Sequence, residues 1–148
     1  MNRPSYEVAV SKNRLRYEFI SIGAKGHIQK IVEYSYVNSL NVWNLGFGDF
    51  DPATGRISDS VISDNGDGRK VITTVALTLL QFFEVHPTET VIFTGSDTRR
   101  TMLYNRIVLQ FYDEFSDRLL ITGLNQEGIE VDIETGIQYA AFIIYKVS

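Results

Sequence analysis

RKVITTVALTLLQFFEV, residues 69–85, is the stretch on which the fold turns. Its first part, Val71 to Val75, is β-branched at every position and favours strand. Yet the stretch lacks Gly and Pro throughout and is longer than an ordinary strand. Val71, Ile72, Val75, Leu79, Phe82 and Phe83 recur at helical spacing. Length therefore decides for an amphipathic helix, with Asn65 or Asp67 as its N-cap and Pro87 as its stop. Leu77 and Leu80 lie off the main stripe. The helix is thus expected to be covered on two sides, by a sheet and by a second helix or a second copy of the chain, so a homodimer is one arrangement it allows.

Upstream, the pattern changes to alternation. Leu15, Tyr17 and Phe19 share one face of a strand over 14–22, opposite Arg16 and Glu18. Residues 5–10 read as a short strand before it. Ala24-Lys25-Gly26 reads as a turn, and Ile28, Val32, Tyr34 and Tyr36 share the parity of the next strand. Trp43, Leu45 and Phe47 line one face of a third, and FDPATGRI (50–57) has Pro and Gly placed for a hairpin. An antiparallel meander is predicted here. Downstream of the helix, TVIFT (90–94) is a short apolar strand expected at the sheet centre. A second helix follows over about 97–115, with Leu103, Ile107, Phe111 and Phe115 as its buried stripe and Arg106, Gln110 and Asp113 facing solvent. The tail offers LLITGL (119–124), the alternating IEVDI (129–133) and YAAFIIYKV (139–147). The last is apolar on both parities, as an interior strand is. The prediction is one α+β domain over residues 1–148. It has an N-terminal β-meander, then α-β-α-β-β, forming a mixed sheet with two main helices packed on it.

Composition bounds the function. The chain has 148 residues, 44% hydrophobic and 22% charged, which suits a soluble globular protein. A net charge of −4 disfavours a protein that coats nucleic acid. Without cysteine there is no disulfide framework, thiolate zinc site or cysteine nucleophile. The N-terminal MNRPSYEVAV lacks the apolar run of a signal peptide, and no segment approaches the ~20 apolar residues of a membrane span. A cytoplasmic setting without a membrane partner is the expectation. The eight Tyr, nine Phe and one Trp fall mostly on apolar parities and read as core rather than as a base-stacking platform.

Two polar groupings carry chemistry. In Gly95-Ser96-x-x-x-Arg100-Thr101-x-x-Tyr104, a strand and a Gly-Ser turn lead into a helix N-terminus, which presents backbone N–H groups to an anion. Cations in that first turn are disfavoured by the helix dipole, by ~0.3–1 kcal/mol each. Arg100 therefore needs a partner, either an internal carboxylate such as Asp49 or Asp67 or a bound anion. The second grouping is acidic: Asp49, Asp51, Asp59, Asp64 and Asp67. Ser63-x-Asn65-x-Asp67-Gly68 fails the calcium-loop spacing, because its first position is Ser and its twelfth is Thr74. Asn65-Gly66-Asp67-Gly68 reads as a turn and helix cap. His27 begins a strand and His86 ends a helix, and neither sits in a catalytic motif.

Four ordered blocks, NLGFGDFD (44–51), SDNGDGRKVITTV (63–75), the Phe82, Phe83 and Pro87 region, and VIFTGSDTRRTMLYNRIV (91–108), carry a likeness. They resemble a family of small, uncharacterised bacterial proteins of Bacteroidetes type, classed as a domain of unknown function. Its Leu-x-Phe-Gly-Asp block falls on Leu45, Phe47, Gly48 and Asp49. Its Asn-Gly-Asp falls on Asn65, Gly66 and Asp67, its Gly-Ser on Gly95 and Ser96, and its Arg-Thr-x-Leu-Tyr on Arg100, Thr101, Leu103 and Tyr104. Where the family often has Thr-Pro-Ala, this chain has Asp97, Thr98 and Arg99. The resemblance implies no reaction and no cofactor.

The first functional expectation is a binding or interaction module. Its site gathers Ser96, Arg100, Thr101 and Tyr104 with Asp49, Asn65 and Asp67, without metal, for an anionic ligand or a protein partner. The alternative is a metal-dependent phosphodiesterase or nuclease, because the order of elements also resembles the ribonuclease H-like fold. That reading uses Asp49, Asp67 and Asp97 as ligands. Convergence of these three with no arginine in the gap would imply a cation, whereas Arg100 bridging them would count against a metal there.

Overall fold

The computed structural model describes residues 4–58, 65–95 and 98–147. Three strands, β2 (Arg16–Gly23), β3 (Gly26–Val37) and β4 (Val42–Asp51), form the expected antiparallel meander. Of the expected first strand only β1 (Ala9–Val10) pairs, on the outer edge of β2. After β4 the chain turns through a hairpin into β5 (Arg56–Ile57). It then forms α1 (Gly68–Val85) and returns as β6 (Val91–Phe93), parallel to β4. Next come α2 (Thr98–Phe111), a 3-10 turn at Tyr112–Phe115, β7 (Leu119–Leu124), β8 (Glu130–Val131) and β9 (Ala141–Lys146). The sheet order is β1-β2-β3-β4-β6-β9-β7-β8, with β5 attached to β4. This is the predicted mixed α+β sheet. The short β6 is central, joining the N-terminal meander to the C-terminal strands, and β9 is interior, as its two apolar parities require.

Both helices lie on the same face of the sheet. That face carries Tyr17, Phe19, Val32, Tyr34, Leu45, Val91, Phe93, Phe142 and Ile144, all buried. Phe82 of α1 stacks on Tyr34 with ring centroids 4.6 Å apart, and Tyr104 of α2 stacks on Phe93 at 4.4 Å. The opposite face is covered locally by the β4–β5 hairpin. Ile57 sits so close to Gly48 that a Cβ there would lie 2.7 Å from its methyl group.

The β-branched start of α1 is explained by where it packs. Thr73 and Thr74 are fully buried, and their hydroxyls donate to the carbonyls of Arg69 and Lys70 at 2.9 and 2.8 Å. Thr78 does the same to Val75 and also meets the Tyr34 hydroxyl at 2.9 Å. Bonds from threonine back to the preceding turn make these residues compatible with helix, and burial against the sheet supplies the rest.

Two local expectations are corrected. Asp67 stands at the N-cap position of α1, but its side chain makes no capping bond. The buried face of α2 is also rotated from the apolar stripe. Arg100, Tyr104, Asn105 and Val108 are buried, and Phe115 of the expected stripe is buried too, while Leu103 and Ile107 are half-buried. The Phe111 side chain lies outside the described residues. The rotation has a cause in Asn105, which is wholly buried. Its amide donates to the carbonyls of Thr101 and Tyr139 at 2.8 and 2.9 Å and accepts from the Tyr139 N–H at 2.6 Å. Tyr139 in turn lies over Gly123, where a Cβ would meet its ring at 2.3 Å.

Two measurements check this core. Phe82→Ala, at a site with no solvent exposure, is expected to cost about 3–5 kcal/mol in urea denaturation. Burial raises the Tyr34 phenol well above its ordinary value. Its contribution is therefore complete below the unfolded value of about 10 and is lost as pH rises beyond it. Stability should fall above about pH 10, and Tyr34→Phe should show a shallower fall.

Candidate functional site

The loop that enters α1 is anchored by one side chain. Asn65 is almost wholly buried, and its Oδ1 accepts from the Lys25 N–H at 2.6 Å. Its Nδ2 donates to the Gly26 carbonyl at 2.8 Å and to the Ser21 carbonyl at 3.3 Å. Its own carbonyl accepts from the Ala24 N–H at 3.2 Å. A Cβ on Gly23 would lie 2.0 Å from that carbonyl oxygen, so glycine is required for the hairpin to dock. Asp67 follows, accepting from the Tyr6 hydroxyl at 2.5 Å and from the Ser21 hydroxyl at 2.6 Å. Burial, and after it the hydrogen bond to Asp67, raises the Tyr6 phenol above its ordinary value. Both residues expected as caps thus fasten the loop to the β2–β3 hairpin and the N-terminal segment.

Asp49 and Lys30 are cross-strand partners on the inner face of the sheet. The Lys30 ammonium donates to the Asp49 carboxylate, and both side chains are buried, at 3% and 8% exposure. Lys30 also stands 5.9 Å from the centre of the Phe47 ring. Lys30 was not among the expected site residues, although its parity with Val32 and Tyr34 points it inward.

On α2, Arg100 is buried and donates to the Ser58 carbonyl at 2.9 Å. The Ser58 N–H donates to the Asp49 carbonyl at 2.7 Å. Among the described residues, then, Arg100 meets the end of the hairpin through a backbone carbonyl, rather than through the Asp49 or Asp67 carboxylate that the sequence suggested. Tyr104 donates its hydroxyl to the Phe47 carbonyl at 2.7 Å. That carbonyl lies on the stretch of β4 beyond the pairing with β6, which ends at Leu45. Gly95 packs against the first turn of α2: a Cβ would lie 2.3 Å from the Thr101 nitrogen. Thr101 donates its hydroxyl to the Gly95 carbonyl at 3.4 Å. The glycine of the Gly-Ser turn thus permits close packing of strand end and helix. Ser96, Asp97, Asp59 and Asp64 lie outside the described residues.

A cavity of about 660 Å³ lies between the two helices above the sheet. Val71, Ile72 and Val75 of α1 and Leu103 and Ile107 of α2 form its walls, with Phe47 and Phe93 from the sheet. Among the described residues its charged lining is Lys30, Arg69, Arg106 and Asp67. Arg69 pairs with Glu114 at 2.6 Å, tying the start of α1 to the turn after α2. Arg106 is exposed and forms no ion pair among the described residues. Of the expected site residues, Asn65, Asp67 and Tyr104 border this cavity, Asp49 reaches it through Lys30, and Arg100 and Thr101 stand outside its lining. Arg106 and Gln110 face solvent as expected, and they also form part of the cavity lining.

Of the three carboxylates of the metal-dependent alternative, Asp97 lies outside the described residues, and Asp49 and Asp67 each have internal partners. Asp49 has an ammonium against it and Asp67 has two hydroxyls. Among the described residues no three His, Cys, Asp or Glu side chains cluster to hold an ion.

A family model described as a family of unknown function (DUF6934) matches residues 2–147, and the chain belongs to that family. No curated protein and no solved structure matches the chain. Among the described residues no helix is long and apolar enough to cross a membrane.

Removing one partner of the Lys30–Asp49 pair strands a buried charge. Lys30→Met is expected to lose about 3–5 kcal/mol in urea denaturation. The double variant Lys30→Met with Asp49→Leu should recover most of that loss, because neither charge then remains buried alone.

Proposed function

We propose that this member of the family is a binding module that holds a small organic anion in the cavity between α1 and α2. The observation that carries the reading is an apolar-walled cavity of ligand size with Arg106, a cation without an ion pair among the described residues, in its lining. About 660 Å³ falls within the usual range for small-molecule sites, roughly 300–1,000 Å³. Among the described residues three cations and one carboxylate line it, in a chain whose net charge is −4. The arrangement favours binding over catalysis. Asp49, Asp67 and Tyr104 are all engaged in internal hydrogen bonds that fasten the fold. The proposed anion therefore sits in the α1–α2 cavity, with Arg106 as its partner.

Thermal melts with a panel of organic carboxylates and phosphates test the reading. A ligand present at a hundred times its Kd should stabilise the wild type by about 2.7 kcal/mol. The exposed substitution Arg106→Glu should leave the unliganded melt near the wild-type value and remove the ligand shift. A wild type that no organic anion stabilises would sink the proposal.

A further inference from the structure

We infer, building on the anion reading, that the ligand is amphipathic: an acyl chain of medium length ending in a single carboxylate. The two helices do not close on each other. Val71 and Ile72 on α1 and Leu103 and Ile107 on α2 are all half-exposed and line the same space, above Phe47, Phe93 and the buried Val75. These seven aliphatic and aromatic side chains around one cavity gain free energy when hydrocarbon replaces water.

Charge sets the other end of the ligand. The Lys30 ammonium faces Asp49, and Arg69 faces Glu114. Arg106 is the cation in the lining without an ion pair among the described residues. One guanidinium matches one carboxylate, in the planar two-bond geometry that arginine provides. Asp67, also in the lining, opposes a second negative charge on the ligand. A polyphosphate or a nucleic-acid strand would need several such cations. Arg106 is exposed, so the carboxylate stays near solvent while the chain runs inward between the helices.

The test is a series of n-alkanoates from acetate to decanoate, kept below their micelle concentrations and titrated into the protein by calorimetry and ¹H–¹⁵N NMR. Matched alkylamines, alkanols and inorganic phosphate accompany them. Affinity should rise about fourfold for each added methylene until the cavity is filled. Phosphate and acetate should bind weakly, and amines and alkanols of equal length more weakly than the carboxylate. Arg106→Gln should lower every affinity by a similar factor and leave the chain-length dependence intact. Leu103→Gln with Ile107→Gln should flatten that dependence. Anion binding that is indifferent to chain length overturns the acyl ligand and leaves the anion reading standing. Amines or alkanols that bind as well as carboxylates overturn the anion reading itself. Should the double Gln variant fail to fold, the wild-type series and Arg106→Gln decide both points.

Discussion

Where α1 begins is set by a single buried amide. Asn65 holds the backbone of the β2–β3 hairpin at Ser21, Lys25 and Gly26, and Gly23 makes room for it. A buried amide that meets backbone groups on three residues cannot shift by one position without leaving several polar groups unpaired, each at a cost of about 1–3 kcal/mol. The first turn of the helix is fixed in consequence. Asp67, two residues on, ties the same point to Tyr6 and Ser21. The register of α1 over the sheet, and with it the stacking of Phe82 on Tyr34, follows from that anchor.

The charged pair beneath the helices has a different role. Lys30 and Asp49 are paired across β3 and β4 at positions that would otherwise hold apolar side chains. Taking both charges from water costs several kcal/mol each, and their attraction does little more than offset it. The pair is therefore poor as a source of stability and effective as a constraint. A shift of one residue between β3 and β4 would turn one charge to the other face and leave its partner buried alone. It also places polar atoms at the base of the cavity, which an all-apolar sheet face would lack.

Much of this architecture was legible in the sequence, because it rests on apolar periodicity. The helix over 69–85, the meander, the central 90–94 strand and the interior final strand all follow from which positions are apolar. What was not legible rests on buried polar side chains. Asn105 reads as an unremarkable helix residue, yet it is fully buried and meets both backbone groups of Tyr139. Arg100 was expected to meet an internal carboxylate or a bound anion, and among the described residues its partner is the Ser58 carbonyl. A sequence shows that an arginine needs acceptors without showing which of the many carbonyls in the chain will be near. Lys30 is the intermediate case. Strand parity marks it as inward-facing, so a lysine between apolar neighbours could have signalled a buried partner.

The cavity itself follows from these polar contacts. On apolar periodicity alone, α2 would turn Leu103 and Ile107 into the core and close against α1. Three side chains hold it in another orientation: Arg100 on Ser58, Tyr104 on Phe47 and Asn105 on Tyr139. Each joins α2 to backbone, whose position is set by the sheet or by the loop before β9. Rolling the helix to hide Leu103 and Ile107 would break all three at once. Their hydrogen bonds, at about 1 kcal/mol each and more for the charged arginine, are jointly comparable to the gain from burying two half-exposed aliphatic side chains. The helix keeps its polar contacts, and its apolar stripe is left facing α1 across an open space.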